Sequence, residues 1–95
     1  MGYPRPRPAR LAAKLFLIRR RLGLSQPELA KRLNARTPYE AKIPYNDISK
    51  FEHEKNVPSL MVLLAYSRVS NIPLPNIIDD NLDLPLTGVA ENQRD

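Results

Sequence analysis

The chain has 95 residues, with 15 Lys and Arg against 10 Asp and Glu for a formal charge of +5, a pI near 9.9 and no cysteine. That length holds one small domain, and the missing thiols exclude a disulfide framework, a thiolate nucleophile and a Cys-ligated metal. An apolar share of 42% is enough for a core and argues against wholesale disorder.

The charge is unevenly spread. Residues 1–36 carry ten bases against one acid, Glu28, for a net +9, residues 37–69 balance, and residues 70–95 come to −4. A basic front of this density points to a polyanion, either nucleic acid or an acidic membrane surface. The start lacks the apolar core of a signal peptide. The longest apolar run, residues 60–65, is six residues, against the roughly 20 of a spanning helix. A cytoplasmic protein without a membrane partner is expected.

Residues 1–8 alternate Pro with Arg or Tyr and read as an extended basic arm. Leu11, Leu15, Ile18 and Leu22 then form the apolar stripe of a first helix. Lys14, Arg19, Arg20 and Arg21 occupy its remaining faces, and Gly23 is a left-handed C-cap. Ser25-Gln26-Pro27-Glu28 is a capping box that opens a second helix, with Pro27 harmless in the first turn. Leu29, Ala30 and Leu33 face inward, and Asn34, tolerant of a left-handed exit, is expected to end this helix. Residues 35–43 have no period and contain Pro38, so they read as a loop.

A third helix beginning near Pro44 carries Ile48 and Phe51 inward and Tyr45, Asn46, Ser49 and Lys50 outward. A fourth, capped by Ser59 and ended by Asn71, offers Leu60, Met61, Leu63 and Leu64 as the floor of the core. A fifth follows Pro73, with Leu74, Ile77 and Ile78 inward. Residues 81–95 read as an acidic tail in which nothing demands a fold. The expected fold is all-α: five short helices over residues 9–80, between a basic arm and an acidic tail.

Two short helices, the second polar, in a basic domain indicate a helix-turn-helix. Leu24-Ser25-Gln26-Pro27-Glu28-Leu29-Ala30, Ile48-Ser49-Lys50-Phe51-Glu52 and Pro58-Ser59-Leu60 resemble the helix-turn-helix family of lambda repressor, Cro and the Xre regulators. The resemblance covers about residues 11–80. It implies a compact repressor-like domain that binds double-stranded DNA, with a recognition helix over about 44–53 in the major groove. It also implies Gln26 on a DNA phosphate, Tyr45, Asn46, Ser49 and Lys50 at base edges, and a structural ion pair between Arg19 and Glu52. The chemistry of the side chains agrees, since an Asn amide pairs with adenine N6 and N7 and a Lys donates to guanine O6 and N7. A helix N-terminus also attracts phosphate.

The chain departs from that pattern in three places. Ile48 stands fifteen residues after Leu33 where seven is usual, and the inserted loop offers Arg36, Tyr39 and Lys42 to the DNA backbone. Glu54 stands where a left-handed Gly is usual, so the third helix is expected to run on to Asn56. Pro44 replaces the usual Ser or Thr N-cap. His53, with no companion ligand, reads as a solvent-facing residue near phosphate rather than a metal ligand, and Lys55 lies beside it. Arg5 and Arg7 of the arm suit a narrow minor groove.

No Ser-His-Asp set or phosphate-cradling Gly loop is present, so neither an enzyme nor a cofactor or metal is expected. Two functions are weighed. One is a small homodimeric transcriptional regulator, repressor or antitoxin-like, with Leu74, Ile77, Ile78 and the tail as the subunit contact. The other is a protein-interaction module whose acidic tail meets a basic partner.

Overall fold

Short-range signals in the sequence mark most helix ends, and the chain obeys them. In a computed structural model, which describes residues 8–36 and 42–85, these residues form α1 (Leu11–Leu22), α2 (Gln26–Ala35), α3 (Tyr45–Glu52), α4 (Leu60–Ser70) and α5 (Leu74–Ile78), with no strand among them. The fold is all-α, as expected.

Gly23 ends α1 at φ 71°, and a Cβ there would meet nothing within 4 Å, so the backbone angle alone selects glycine. The capping box is complete: the Glu28 amide donates to Ser25 Oγ (3.2 Å) and the Ser25 amide to Glu28 Oε1 (2.8 Å). The Ser25 amide first, and the Ser25 hydroxyl second, hold the Glu28 carboxyl below its ordinary range. Ser59 accepts from the Val62 amide to start α4, and Asn71 ends it at φ 65°.

The core joins Leu11, Leu15 and Ile18 of α1, Leu29 and Leu33 of α2, Ile48 and Phe51 of α3, Leu63 and Tyr66 of α4, and Ile77 of α5. Ile43, Ile72 and Leu84 plug it from the connections. Each such aliphatic side chain contributes about 1.5–3 kcal/mol relative to exposure. The broadest helix pairing is α2 on α3, with α1 and α4 closing over it.

Several expectations need correction. Asn34 does not end α2. The helix runs to Ala35 and stops at Arg36 with an ordinary φ of −110°, because the Asn34 side chain is engaged elsewhere. Nor does α3 run on to Asn56. It stops at Glu52, and Glu54 takes the left-handed conformation itself at φ 63°. The Lys55 amide donates to the Lys50 carbonyl (2.8 Å) and the Glu54 amide to that of Phe51 (3.4 Å), so a Schellman closure forms without glycine. In α4 the inward face is Leu63, Ala65, Tyr66 and Ser70, whereas Leu60 is 65% exposed. A helix apolar all round gives no phase to read. Ile77 is wholly buried in its own domain and is not free for a subunit contact.

Lys14 is the largest departure, for it is 2% exposed rather than solvated. Its Nζ donates to the carbonyls of Asn76 (2.8 Å), Asp79 (2.9 Å) and Leu82 (2.6 Å). Burial, then the Arg10 charge, push the ammonium below its ordinary range, while Asp80, Asp83 and Asp79 act the other way.

Residues 79–85 therefore do not trail away. They lie along α1 as a strap. The Asp80 carboxylate accepts from the Ala9 (2.8 Å) and Arg10 (3.0 Å) amides, at the start of a helix whose own N-cap residue supplies no side-chain cap. The Arg10 guanidinium donates to the Asp80 carbonyl (2.7 Å) and to Asp83 Oδ1 (2.5 Å), and Arg21 donates to the Pro85 carbonyl. Arg10, Lys14 and Arg21 share one face of α1. Eleven residues of helix rise about 16 Å, the span of about five extended residues. Leu84, 6% exposed, anchors the strap in the core.

Candidate nucleic-acid interface

Six of the eight residues of α3 divide between two faces, with Asp47 and Glu52 half-buried. Ile48 and Phe51 are buried against the domain, while Tyr45, Asn46 and Lys50 are exposed and Ser49 is half-buried beside them. Asn46 and Lys50 stand four residues apart, one turn along the same face. The sequence-expected reading set thus shares the outward face of one short helix.

That helix is held at both ends. At its C-terminus Glu52, whose side chain is 3% exposed, accepts from Arg19 through Nε (2.8 Å) and Nη2 (3.0 Å), a bidentate pair. Arg19 Nη1 also donates to the Leu24 carbonyl (3.2 Å), in the turn before α2. Gln26 Nε2 donates to Glu52 Oε1 (3.3 Å). Three side chains therefore tie the end of α1, the start of α2 and the end of α3 into one polar knot. The Glu52 hydrogen bonds hold the Arg19 guanidinium above its already high ordinary pKa, so this charge is permanent and committed to the fold. The expected Arg19–Glu52 pair is present. Gln26 sits at the first residue of α2, half-buried, with one amide proton given to Glu52.

At its N-terminus α3 is held by a residue read differently from the sequence. Asn34 Oδ1 accepts from the Ile43 amide (2.7 Å), and Asn34 Nδ2 donates to the Ile43 carbonyl (3.2 Å). The side-chain amide thereby pairs with both polar groups of one residue, as a neighbouring strand would. Ile43, 9% exposed, directly precedes Pro44, the N-cap of α3. The inserted loop thus returns to a fixed point. Only the presence of an Asn ahead of a long loop hinted at this, and that signal is too common to select it.

Arg36 and Lys42, expected on the DNA backbone, are both exposed, one on each side of the inserted loop. Tyr39, like Arg5 and Arg7 of the arm, lies outside the described residues. Lys55 is exposed just past α3. His53 Nδ1 lies 2.8 Å from the Ser49 carbonyl and 3.3 Å from Ser49 Oγ. With Nδ1–H donated to that carbonyl, a neutral ring turns a lone pair outward at Nε2, and only the protonated ring offers phosphate a donor.

The strap changes the charge reading of the front half. Arg10, Lys14 and Arg21 are engaged by residues 76–85, and Arg19 by Glu52. Exposed cations among the described residues include Lys31, Arg32, Arg36, Lys42, Lys50 and Lys55, which belong to α2, α3 and their flanks. No helix among the described residues is long and apolar enough to cross a membrane. No group of three His, Cys, Asp or Glu residues there could hold a metal ion. No family model, curated protein or solved structure matches the chain.

Proposed function

We propose that the protein is a cytoplasmic, sequence-specific binder of double-stranded DNA, a small homodimeric transcriptional regulator of the repressor or antitoxin-like kind. The likeness to lambda repressor, Cro and the Xre regulators supplies the register, with α3 in the major groove. The observation that carries the reading is the outward face of α3. A polar helix face bearing Asn46 and Lys50 is pinned at both ends, by Asn34 and Ile43 at one and by Arg19 and Glu52 at the other. Uncommitted cations stand on both flanks. Tyr45, Asn46, Ser49 and Lys50 read base edges, and Gln26, Arg36, Lys42, His53 and Lys55 contact the backbone.

The alternative, an interaction module baited by its acidic tail, loses one of that tail's carboxylates to the strap, since Asp83 is occupied by Arg10 of the same chain.

Fluorescence anisotropy on duplex DNA at rising salt tests the proposal. About five or six phosphate contacts give a log–log slope near −5, and no binding at low salt refutes it. On a selected operator, Asn46→Ala relaxes sequence preference, whereas Lys42→Ala weakens all duplexes alike. Equal losses from both variants on every sequence would reject the division into base and backbone contacts.

A further inference from the structure

Ala13, Phe16, Leu17 and Arg20 stand three and four residues apart on α1, so they form one stripe along its outer side. Ala13 and Arg20 are exposed, with Phe16 37% and Leu17 44% exposed between them. The inner stripe, Leu11, Leu15 and Ile18, is already spent on the core. The two large apolar side chains left outside are set among cations. The Arg19 and Arg20 guanidinia lie over the Phe16 ring, 5.5 and 5.6 Å from its centre. Arg19 is neutralised by Glu52, whereas Arg20 forms no ion pair with a described residue. Arg21, next along, donates to the Pro85 carbonyl, a neutral acceptor that leaves its positive charge unbalanced.

We propose that this stripe docks an acidic amphipathic helix of another protein. Charge and apolarity together select that occupant. A second copy set about a two-fold axis faces the stripe with a surface of the same positive sign. Nucleic acid satisfies the arginines but leaves Phe16 and Leu17 against phosphate and water. A helix with Leu on one side and Glu at its edge answers both needs. Its apolar side covers Phe16 and Leu17, and a carboxylate meets the Arg20 guanidinium as a bidentate pair. The Phe16 ring already holds that guanidinium in place, so less side-chain freedom is lost when the pair forms. An aromatic side chain beside an arginine is also the combination on which small contacts concentrate their binding energy. The stripe uses none of the residues assigned to DNA, so the inference stands whether or not α3 reads a duplex.

The test is fluorescence anisotropy of a labelled synthetic peptide of about 18 residues, with Leu at helical intervals on one side and Glu beside them. At about 0.15 M salt the full chain binds it with a Kd of about 10 µM. A scrambled peptide of the same composition, and one with Lys in place of Glu, bind about tenfold more weakly or worse. Phe16→Ser and Arg20→Glu each weaken binding by about tenfold or more, and Arg20→Glu gains affinity for the Lys peptide. Leu60→Gln, at an exposed apolar residue of another helix, leaves binding unchanged. Thermal midpoints stay near wild type, and Arg20→Glu, at an exposed position, keeps the test sound should Phe16→Ser disturb the fold. No binding up to about 1 mM overturns the proposal. Equal affinity for the ordered and scrambled peptides, or binding that survives both substitutions, overturns it too. Displacement of the peptide by duplex DNA would give Arg20 to a phosphate instead. Vesicles of equal parts phosphatidylserine and phosphatidylcholine that sediment the wild type but not Arg20→Glu would give the stripe to a lipid surface. Either result refutes a protein occupant.

Discussion

Replacing Lys14 by Met keeps the aliphatic stem inside the domain and removes only the ammonium. Three carbonyls, those of Asn76, Asp79 and Leu82, then lose a charged donor. Hydrogen bonds to a charged group are each worth roughly 1.5–3 kcal/mol. Part of the loss is returned, because the ammonium no longer has to be stripped of water and solvent reaches the carbonyls of exposed Asp79 and Leu82. A net cost of about 3 kcal/mol remains, a large share of the roughly 5–15 kcal/mol of a small domain. At about 4–8 °C per kcal/mol the midpoint falls by roughly 12–24 °C. Lys14→Arg gives little relief, since a planar fork does not aim three donors at carbonyls gathered around one point. Urea denaturation followed by circular dichroism is the assay. A Lys14→Met variant within about 0.5 kcal/mol of wild type, the ordinary result for a solvated residue, would refute the reasoning.

Arg19→Met strands the Glu52 carboxylate, 3% exposed, and costs about 3–5 kcal/mol. Adding Glu52→Leu recovers most of that, and a double-mutant cycle showing no coupling would contradict the pair. Acid unfolds the strap. The amides of Arg10 and Ala9 hold the Asp80 carboxyl below its ordinary value of 3.8, and Arg10 does the same for Asp83. Their contribution is complete above that value and disappears as pH falls through the lower folded values. A pH titration of stability therefore bends downward below about pH 4, and Asp80→Asn flattens the bend. Asn34→Ala costs about 1–2 kcal/mol and accelerates hydrogen exchange at the Ile43 amide. An unchanged exchange rate there would show that the inserted loop is fixed by other means.

What could be read from the sequence was what acts over a few residues. Gly23, the Ser25–Glu28 box, Ser59 and Asn71 each satisfy backbone groups within about one turn, so their roles are visible in a short window. The outward set on α3 was legible for a related reason: Ile48 and Phe51 fix the phase of a helix with one apolar side. Lys14, Asn34 and Glu54 were not legible. The carbonyls that hold Lys14 come from more than sixty residues away, and composition marks such a lysine as surface. Asn34 was read by its backbone tolerance, whereas its side chain forms the decisive bonds. The left-handed turn at Glu54 costs about 1–2 kcal/mol for an L-residue, a penalty that only the surrounding fold can impose. In α4, uniform hydropathy conceals the phase, so Leu60 reads as core although it is exposed.

The strap also dictates when the domain can form as it is made. The cap on the first helix is supplied by Asp80, about seventy residues downstream of the amides it satisfies, and closing a loop of that length costs roughly 4 kcal/mol of chain entropy. A nascent chain emerging from the ribosome holds α1 early, but with its first turn uncapped and its lysine without a cage. Contacts this distant in sequence are made late, so α1, although it precedes the other four described helices in the chain, is completed after them. A chain halted before residue 80 carries most of its apolar core and the whole helix pair α2–α3, yet it lacks the carboxylate that caps α1.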